Sequence, residues 1–221
     1  MSEYGPLPFV AVIGAALLFD YALFIARCIR RRRQTQNATG LTNPSDKMEL
    51  TVLIPCRNEA TNLTLLLKDL SQQSVPVRTV VIDDHSTDES RAIAESFGVK
   101  VIDSIGLGKK AALITGYRIV DTPWMATLDA DVRLQGNWAA CMMHCAKEGT
   151  SAAVLGGVAI APRSKSGWEQ FQALEFGSMM VWISGGVATG HLAMGSGANS
   201  LYATADYPVD DLNLAQASGD D

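Results

Sequence analysis

No Gly-x-x-x-x-Gly-Lys-Ser/Thr loop occurs in the 221 residues, and no Gly-x-Gly-x-x-Gly follows the first β-like run. Both motifs cradle phosphates on backbone N–H groups at a helix start, so their absence argues against a P-loop ATPase or a dinucleotide enzyme. The four cysteines, Cys28, Cys56, Cys141 and Cys145, lack paired metal-ligand spacing, and a cytoplasmic domain would keep them reduced. Cys141, His144 and Cys145 read as packing residues on one helix. His85 and His191 stand alone and carry no assignment. Basic residues are few beyond Arg33: setting aside Arg27, Arg30 to Arg33, Glu3 and Asp20 leaves 13 basic against 21 acidic residues. That balance argues against nucleic-acid binding. Positive charge is also missing ahead of the first apolar stretch, where only Glu3 is charged, and a cleavable signal peptide needs it there.

What is present begins with that stretch. Leu7 to Ala26 carries one charged residue, Asp20, and as a helix rising about 1.5 Å per residue it would reach about 30 Å, enough to cross a bilayer. Its eleven Leu, Ile, Val and Phe residues favour insertion by about 3 to 7 kcal/mol, against a cost of about 3 kcal/mol for the aspartate. Arg27 and Arg30 to Arg33 follow, so the positive-inside rule puts Met1 outside the cell membrane and the rest of the chain in the cytoplasm. Residues 1–33 therefore read as one N-terminal transmembrane signal anchor with its arginine block. Residues 34–47, rich in Asn, Thr, Gly, Pro and Ser, read as a linker, and 48–221 as the folded domain.

Within the domain, β-like runs alternate with helical periodicity. Leu50 to Ile54 is a short apolar run ended by Pro55, and Leu63, Leu66, Leu67 and Leu70 then mark a helix. Thr79 to Ile82 precedes a helix from about Asp88 to Phe97, Val99 to Ile102 precedes Lys109 to Val120, and Trp124 to Leu128 forms a fourth strand. This order predicts an α/β domain, a mostly parallel sheet with helices on both faces. Ligands of such sheets bind beyond the carboxyl ends of the strands. The polar clusters fall there: Pro55-Cys56-Arg57-Asn58-Glu59, Asp83-Asp84-His85-Ser86-Thr87-Asp88 and Asp129-Ala130-Asp131. On a strand, Asp129 and Asp131 would project the same way, and two carboxylates held that close call for a hard divalent ion such as Mg²⁺ or Mn²⁺. Ser86 or Thr87 is expected to cap the second helix and Asn58 the first. Asp83 and Asp84 are then left for function, with Arg57 and Glu59 facing the cleft. Lys109 and Lys110 suit a phosphate contact or a solvated helix start. Met179 to Met194 is apolar but interrupted by glycines, and reads as a buried or interfacial element after a helix bearing Trp168, Phe171 and Leu174.

Val52 to Glu59, Val81 to Asp88, Gly108 to Leu113, and Leu128 to Asp131 together resemble, in order and spacing, the family 2 glycosyltransferases of the GT-A fold, a Rossmann-like nucleotide-diphospho-sugar transferase fold. Gly195 to Tyr202 is similar to the acceptor-side segment of that family, and Ser218-Gly219-Asp220-Asp221 to its last motif. The resemblance implies an inverting, metal-dependent transferase with Mn²⁺ or Mg²⁺ and a nucleotide-sugar donor, most often a UDP-sugar. Its acceptor would be a lipid or a cell-envelope polysaccharide. It also implies roles: Pro55, Arg57, Glu59, Asp83 and Asp84 around the nucleoside, Lys109 near the donor, Asp129 at the ribose or sugar and on the metal, and Asp131 on the metal. Gly197 and Asn199 fall on the acceptor side, and Asp221, with Asp220 as runner-up, is the base.

The family pattern often has Asn where Ser196 stands and a basic residue where Ala203 stands. It also continues past Asp221, so a truncated C-terminal part and weak turnover by this chain alone are expected. Two other readings compete. A sugar-1-phosphate nucleotidyltransferase would need a glycine-rich loop after the first strand, and a membrane-tethered, non-catalytic nucleotide-binding scaffold would not need the paired acidic motifs.

Overall fold

The structure is a computed structural model that describes residues 48–148, 152–162, 164–188 and 195–212, with Phe19, Ala22, Leu23 and Ala26. The expected anchor beyond those four positions, the arginine block, the linker, His191 and the Asp220–Asp221 pair lie outside the described residues. Among the described residues no helix is long and apolar enough to cross a membrane. The chain divides into two compact units, one of residues 40–156 and 196–221, the other of 1–39 and 157–195.

The first unit is built on a six-stranded sheet. Its elements run β1 (Leu50–Cys56), α1 (Ala60–Ser71), β2 (Arg78–Asp83), α2 (Ser90–Ser96), β3 (Lys100–Asp103), α3 (Lys109–Tyr117), β4 (Trp124–Leu128), α4 (Trp138–Glu148), β5 (Ala153–Leu155) and β6 (Asn199–Ala203). The strand order is β3-β2-β1-β4-β6-β5. The first four strands pair in parallel, while β6 runs antiparallel to both β4 and β5. The expected mostly parallel sheet is therefore present, with an antiparallel pair added at one side.

Alternation along β1 sorts the core into two layers. Leu50, Val52, Ile54 and Cys56 face α1, α2 and α4 and pack with Leu63, Leu66, Ala94, Met142 and Leu128. Leu53, Val80 and Ile82 face α3 and meet Ala112, Leu113 and Tyr207. Tyr207 closes this layer against Tyr202 and Tyr117, with ring centroids 5.1 and 5.5 Å away. Gly116 lets α3 lie close to the sheet, since a Cβ there would stand 2.9 Å from Ile82 Cδ1.

Pro55 does not end β1, which continues to Cys56. The Cys56 carbonyl accepts from Asp84 N–H on the β2 side. Backbone groups alternate in direction, so Pro55 directs its missing donor toward β4, whose pairing with β1 has already stopped at Leu53. No ladder bond is lost.

In the second unit, α5 (Gly167–Ala188) is one helix of 22 residues that joins the two segments read separately from the sequence. Trp168, Phe171, Leu174, Met179 and Trp182 on it are exposed, while Ile183 is buried. Residues 189–194, the end of the apolar run, lie outside the described residues.

Candidate active site

The loops leaving β1 and β2 are stitched to one another. Asn58 adopts a left-handed backbone, φ 57°, and its side-chain oxygen accepts from Thr87 N–H at 2.7 Å. Its own N–H donates to Ser86 Oγ at 3.1 Å. Asp88 Oδ1 accepts from Ser90 N–H and Ser90 Oγ at 3.0 and 2.6 Å, and Asp88 Oδ2 accepts from Ala60 N–H at 3.1 Å. Ser90 Oγ in turn accepts from Glu59 N–H at 2.9 Å. The caps thus differ from expectation. Asp88 serves the starts of both α1 and α2, and Asn58, Ser86 and Thr87 bridge the two loops. A carboxylate takes more N–H donors than a hydroxyl can, which is why Asp88 wins, and those donors hold its carboxyl below its ordinary value.

These loops form one wall of a cleft of about 600 Å³ at the carboxyl edge of the sheet. Pro55, Cys56, Arg57 and Glu59 come from β1 and its loop, Asp84 from the end of β2, Leu107 to Lys109 from the start of α3, and Asp129 to Asp131 from the end of β4. The Asp84 carboxylate is buried and accepts from Gly108 N–H at 2.8 Å, with Arg57 Nη1 3.9 Å away and His85 Nδ1 3.2 Å away. Gly108 sits at φ 88°, a conformation open to glycine at little cost, and this aims its N–H at Asp84. Lys109 Nζ lies 2.5 Å from Asp129 Oδ1.

Asp129 and Asp131 share the cleft for a reason other than strand alternation. β4 ends at Leu128, and Asp129 to Val132 form a turn in which Val132 N–H donates to Asp129 O at 3.3 Å. Ala130 is buried under the turn while Asp131 is exposed. Two carboxylates on one open turn fit Mg²⁺ or Mn²⁺, which take one or two protein carboxylates and leave other positions to water and substrate phosphates. Among the described residues no group of three or more His, Cys, Asp or Glu could hold a metal ion.

Other expected positions have other surroundings. Asp83 is not in the cleft lining: its Oδ1 accepts from Ser86 N–H at 3.0 Å and its Oδ2 lies 3.5 Å from Arg91 Nη1. Asn199 is buried, and its Oδ1 accepts from Trp138 Nε1 at 3.0 Å, tying β6 to α4. Gly197, expected on the acceptor side, lies next to the cleft residue Lys109, whose Nζ a Cβ there would approach to 3.6 Å. Cys56 lines the cleft, but burial pushes its thiol up to about 11. It is a neutral thiol near pH 7 and a poor nucleophile.

Asp69, Gln73 and Arg133, which no motif in the sequence singles out, brace the loop after Asp131. A signal was available, because Leu66, Asp69, Leu70 and Gln73 fall at i, i+3, i+4 and i+7. Two polar residues thus sit in the stripe that should be apolar.

The chain spans 24% to 28% of the length of the curated relatives it matches. One, the 4,4'-diaponeurosporenoate glycosyltransferase of Staphylococcus aureus (strain N315), is 39% identical over 106 residues, or 45% of this chain and 28% of that protein. Among solved structures, the mannosyltransferase PcManGT from Pyrobaculum calidifontis, in complex with GDP-Man and Mn²⁺, superposes with a TM-score of 0.56 at 19% identity, over 87% of this chain and 55% of that one. Glucosyl-3-phosphoglycerate synthase from Mycobacterium tuberculosis, in complex with Mn²⁺, UDP and glucosyl-3-phosphoglycerate, gives 0.51 at 16% identity, over 72% and 57% of the two chains. These two likenesses establish a shared fold. The model of glycosyl transferase family 2 matches residues 51–196, and with every residue that lines the cleft inside that span, the chain belongs to glycosyl transferase family 2.

Proposed function

We propose that this chain binds the donor in an inverting glycosyltransferase that moves a sugar from a nucleotide-sugar, a UDP-sugar in the first instance, to a lipid or polysaccharide acceptor at the cytoplasmic face of the cell membrane. The observation that carries the reading is the convergence of Arg57, Glu59, Asp84, Lys109, Asp129 and Asp131 on one cleft at the carboxyl edge of a parallel sheet. Arg57, Glu59 and Asp84 line the wall suited to the base and ribose. Lys109 offers its ammonium to the diphosphate, a second anion beside Asp129. A Mn²⁺ or Mg²⁺ ion on Asp129 and Asp131 would supply positive charge to the departing diphosphate, and the two neighbours solved with Mn²⁺ support that ion.

The acceptor oxygen bonds to the anomeric carbon as that carbon's bond to the diphosphate oxygen breaks. The acceptor proton passes to a carboxylate, for which Asp221, with Asp220 second, is the family-derived candidate. The apolar stretch Leu7 to Ala26 and the arginines after it support the membrane placement. Protease protection of vesicles carrying a C-terminally tagged chain tests it: a tag shielded on the far side of the membrane overturns the orientation.

The site is tested by calorimetric titration of UDP into the chain with and without Mn²⁺, on wild type and Asp131→Asn. Binding that needs both the metal and Asp131 is the expected result. No UDP binding by a demonstrably folded protein overturns the assignment.

A further inference from the structure

Asp131 stands between two fixed points. On one side, Asp129 N–H donates to Ala198 O at 3.2 Å and the Asp129 carboxylate meets Lys109 Nζ at 2.5 Å. On the other, two residues beyond Asp131, the guanidinium of Arg133 is gripped by Asp69 of α1. Arg133 Nε donates to Oδ2 at 2.6 Å and Nη2 to Oδ1 at 2.9 Å, and Leu134 N–H donates to the same Oδ2 at 3.0 Å. Just past the end of α1, Gln73 Nε2 donates to Gln135 O at 2.8 Å, and Gln73 Oε1 accepts from Ala139 N–H at 2.9 Å. Ser74 N–H completes the grip on Gly136 O at 2.9 Å.

A loop that merely joined β4 to α4 would need less than this. α4 is already anchored by buried Trp138, whose indole N–H bonds Asn199. Most of the extra contacts fall on residues 133 to 136, ahead of α4 and next to Asp131. Asp69 is a carboxylate only 9% exposed, kept on a face otherwise made of leucine. Neither Asp69 nor Gln73 lines the cleft.

We propose that Asp69 and Gln73 are positioning residues for the metal-binding carboxylate of Asp131, acting through the loop of residues 132 to 139. This rests on the reading of Asp129 and Asp131 as metal ligands. An exposed side chain on a free loop must be ordered when the ion arrives, and that cost is subtracted from affinity. A loop pinned two residues away meets it in folding instead.

The test is Mn²⁺ binding to the 221-residue chain in the presence of saturating UDP, followed by loss of the paramagnetic resonance signal of free Mn²⁺. Wild type is compared with Asp131→Asn, Asp69→Asn, Gln73→Ala, Arg133→Lys and, as a control at the start of β2 outside the cleft lining, Arg78→Ala. Asp69→Asn and Gln73→Ala are each expected to raise the Mn²⁺ dissociation constant about tenfold, the lower edge of what outer-shell changes do at metal sites. A merely structural lock would lower the melting temperature and leave the Mn²⁺ affinity of folded molecules unchanged. Should Asp69→Asn fail to fold, Arg133→Lys asks the same question from the exposed side, keeping the charge and removing the two-pronged grip. Mn²⁺ affinities within twofold of wild type in the folded variants overturn the proposal. A wild type that binds Mn²⁺ no better than Asp131→Asn overturns the metal-site reading beneath it.

Discussion

The loops after β1 and β2 and the turn after β4 border the same cleft, but they are held in opposite ways. In the first pair, Asn58, Asp83, Ser86, Asp88 and Ser90 bond one another at short range across the two loops. Of the two adjacent aspartates, only Asp84 lines the cleft, while Asp83 turns to Ser86 and Arg91. At the β4 turn both aspartates line the cleft, Asp131 accepts no hydrogen bond from any described residue, and the bracing comes from Asp69, more than sixty positions away in sequence. A dense polar motif therefore need not be dense in ligand contacts. In the sparse motif Asp131 stays available because its rigidity is imported, while Asp129 meets Lys109.

The sharpest way to break this contrast is to exchange the two kinds of residue. Asp131→Asn should weaken metal-dependent UDP binding at least about a hundredfold, given the several kcal/mol an ion contributes between carboxylate and phosphate. It should leave the melting temperature unchanged; an equal fall in both would show that Asp131 also braces the fold. Ser90→Ala should do the reverse. It strands the Glu59 N–H and costs about 1 to 3 kcal/mol of stability in thermal unfolding, with the Mn²⁺ affinity of the folded protein intact.

A smaller effect reports on the imported brace through pH. The Arg133 hydrogen bond, against the opposing effect of burial, holds the Asp69 carboxyl below its ordinary value. A depressed folded-state value stabilises above the unfolded value of about 4 and is lost as pH falls through the folded one. The stability gap between wild type and Asp69→Asn should thus be full above about pH 5 and close as the solution is acidified below about pH 4. A gap independent of pH would sink the charge-based account. Least of all, Arg78→Ala removes an exposed pair with Asp121 and should change stability by about 0.5 kcal/mol or less.

Periodicity was enough to place the parallel half of the sheet, since β1, β2 and β4 are mostly buried runs and the partly exposed β3 still lies between two helices. The expected helix Lys109 to Val120 stops at Tyr117, because Ile119 and Val120 N–H close tight turns onto Gly116 and Tyr117 carbonyls. β3 begins and ends one residue later than expected, at Lys100 and Asp103. The antiparallel strands were not legible: β5 has three residues and β6, Asn-Ser-Leu-Tyr-Ala, sits inside a motif read for its chemistry. Asn199 shows the cost of that reading. It carries a polar label in sequence, yet in space it is the partner of Trp138, and no local pattern announces a bond across sixty-one positions. Arg57, Glu59, Asp84, Lys109, Asp129 and Asp131 were legible because strand ends fix where loops gather. Which of two neighbouring aspartates faces inward depends on Arg91 and Gly108, which the strand pattern does not specify.

Where β5 hands over to the next segment, Gly156 N–H donates to Asn199 O at 2.9 Å, and Leu155 lies opposite Ser200. Residues 157 to 198 therefore depart from the sheet and rejoin it at neighbouring rungs, so the β5–β6 pairing has already closed the loop whatever its length. The insert is thus a cassette with a socket. Extra residues near Gly157 would leave the β5–β6 rungs in place, whereas Gly197 and Ala198 at its far end already touch Lys109 and Asp129. The socket itself admits no side chain at its entry: a Cβ at Gly156 would fall 2.2 Å from the Asn199 amide, the group that holds Trp138.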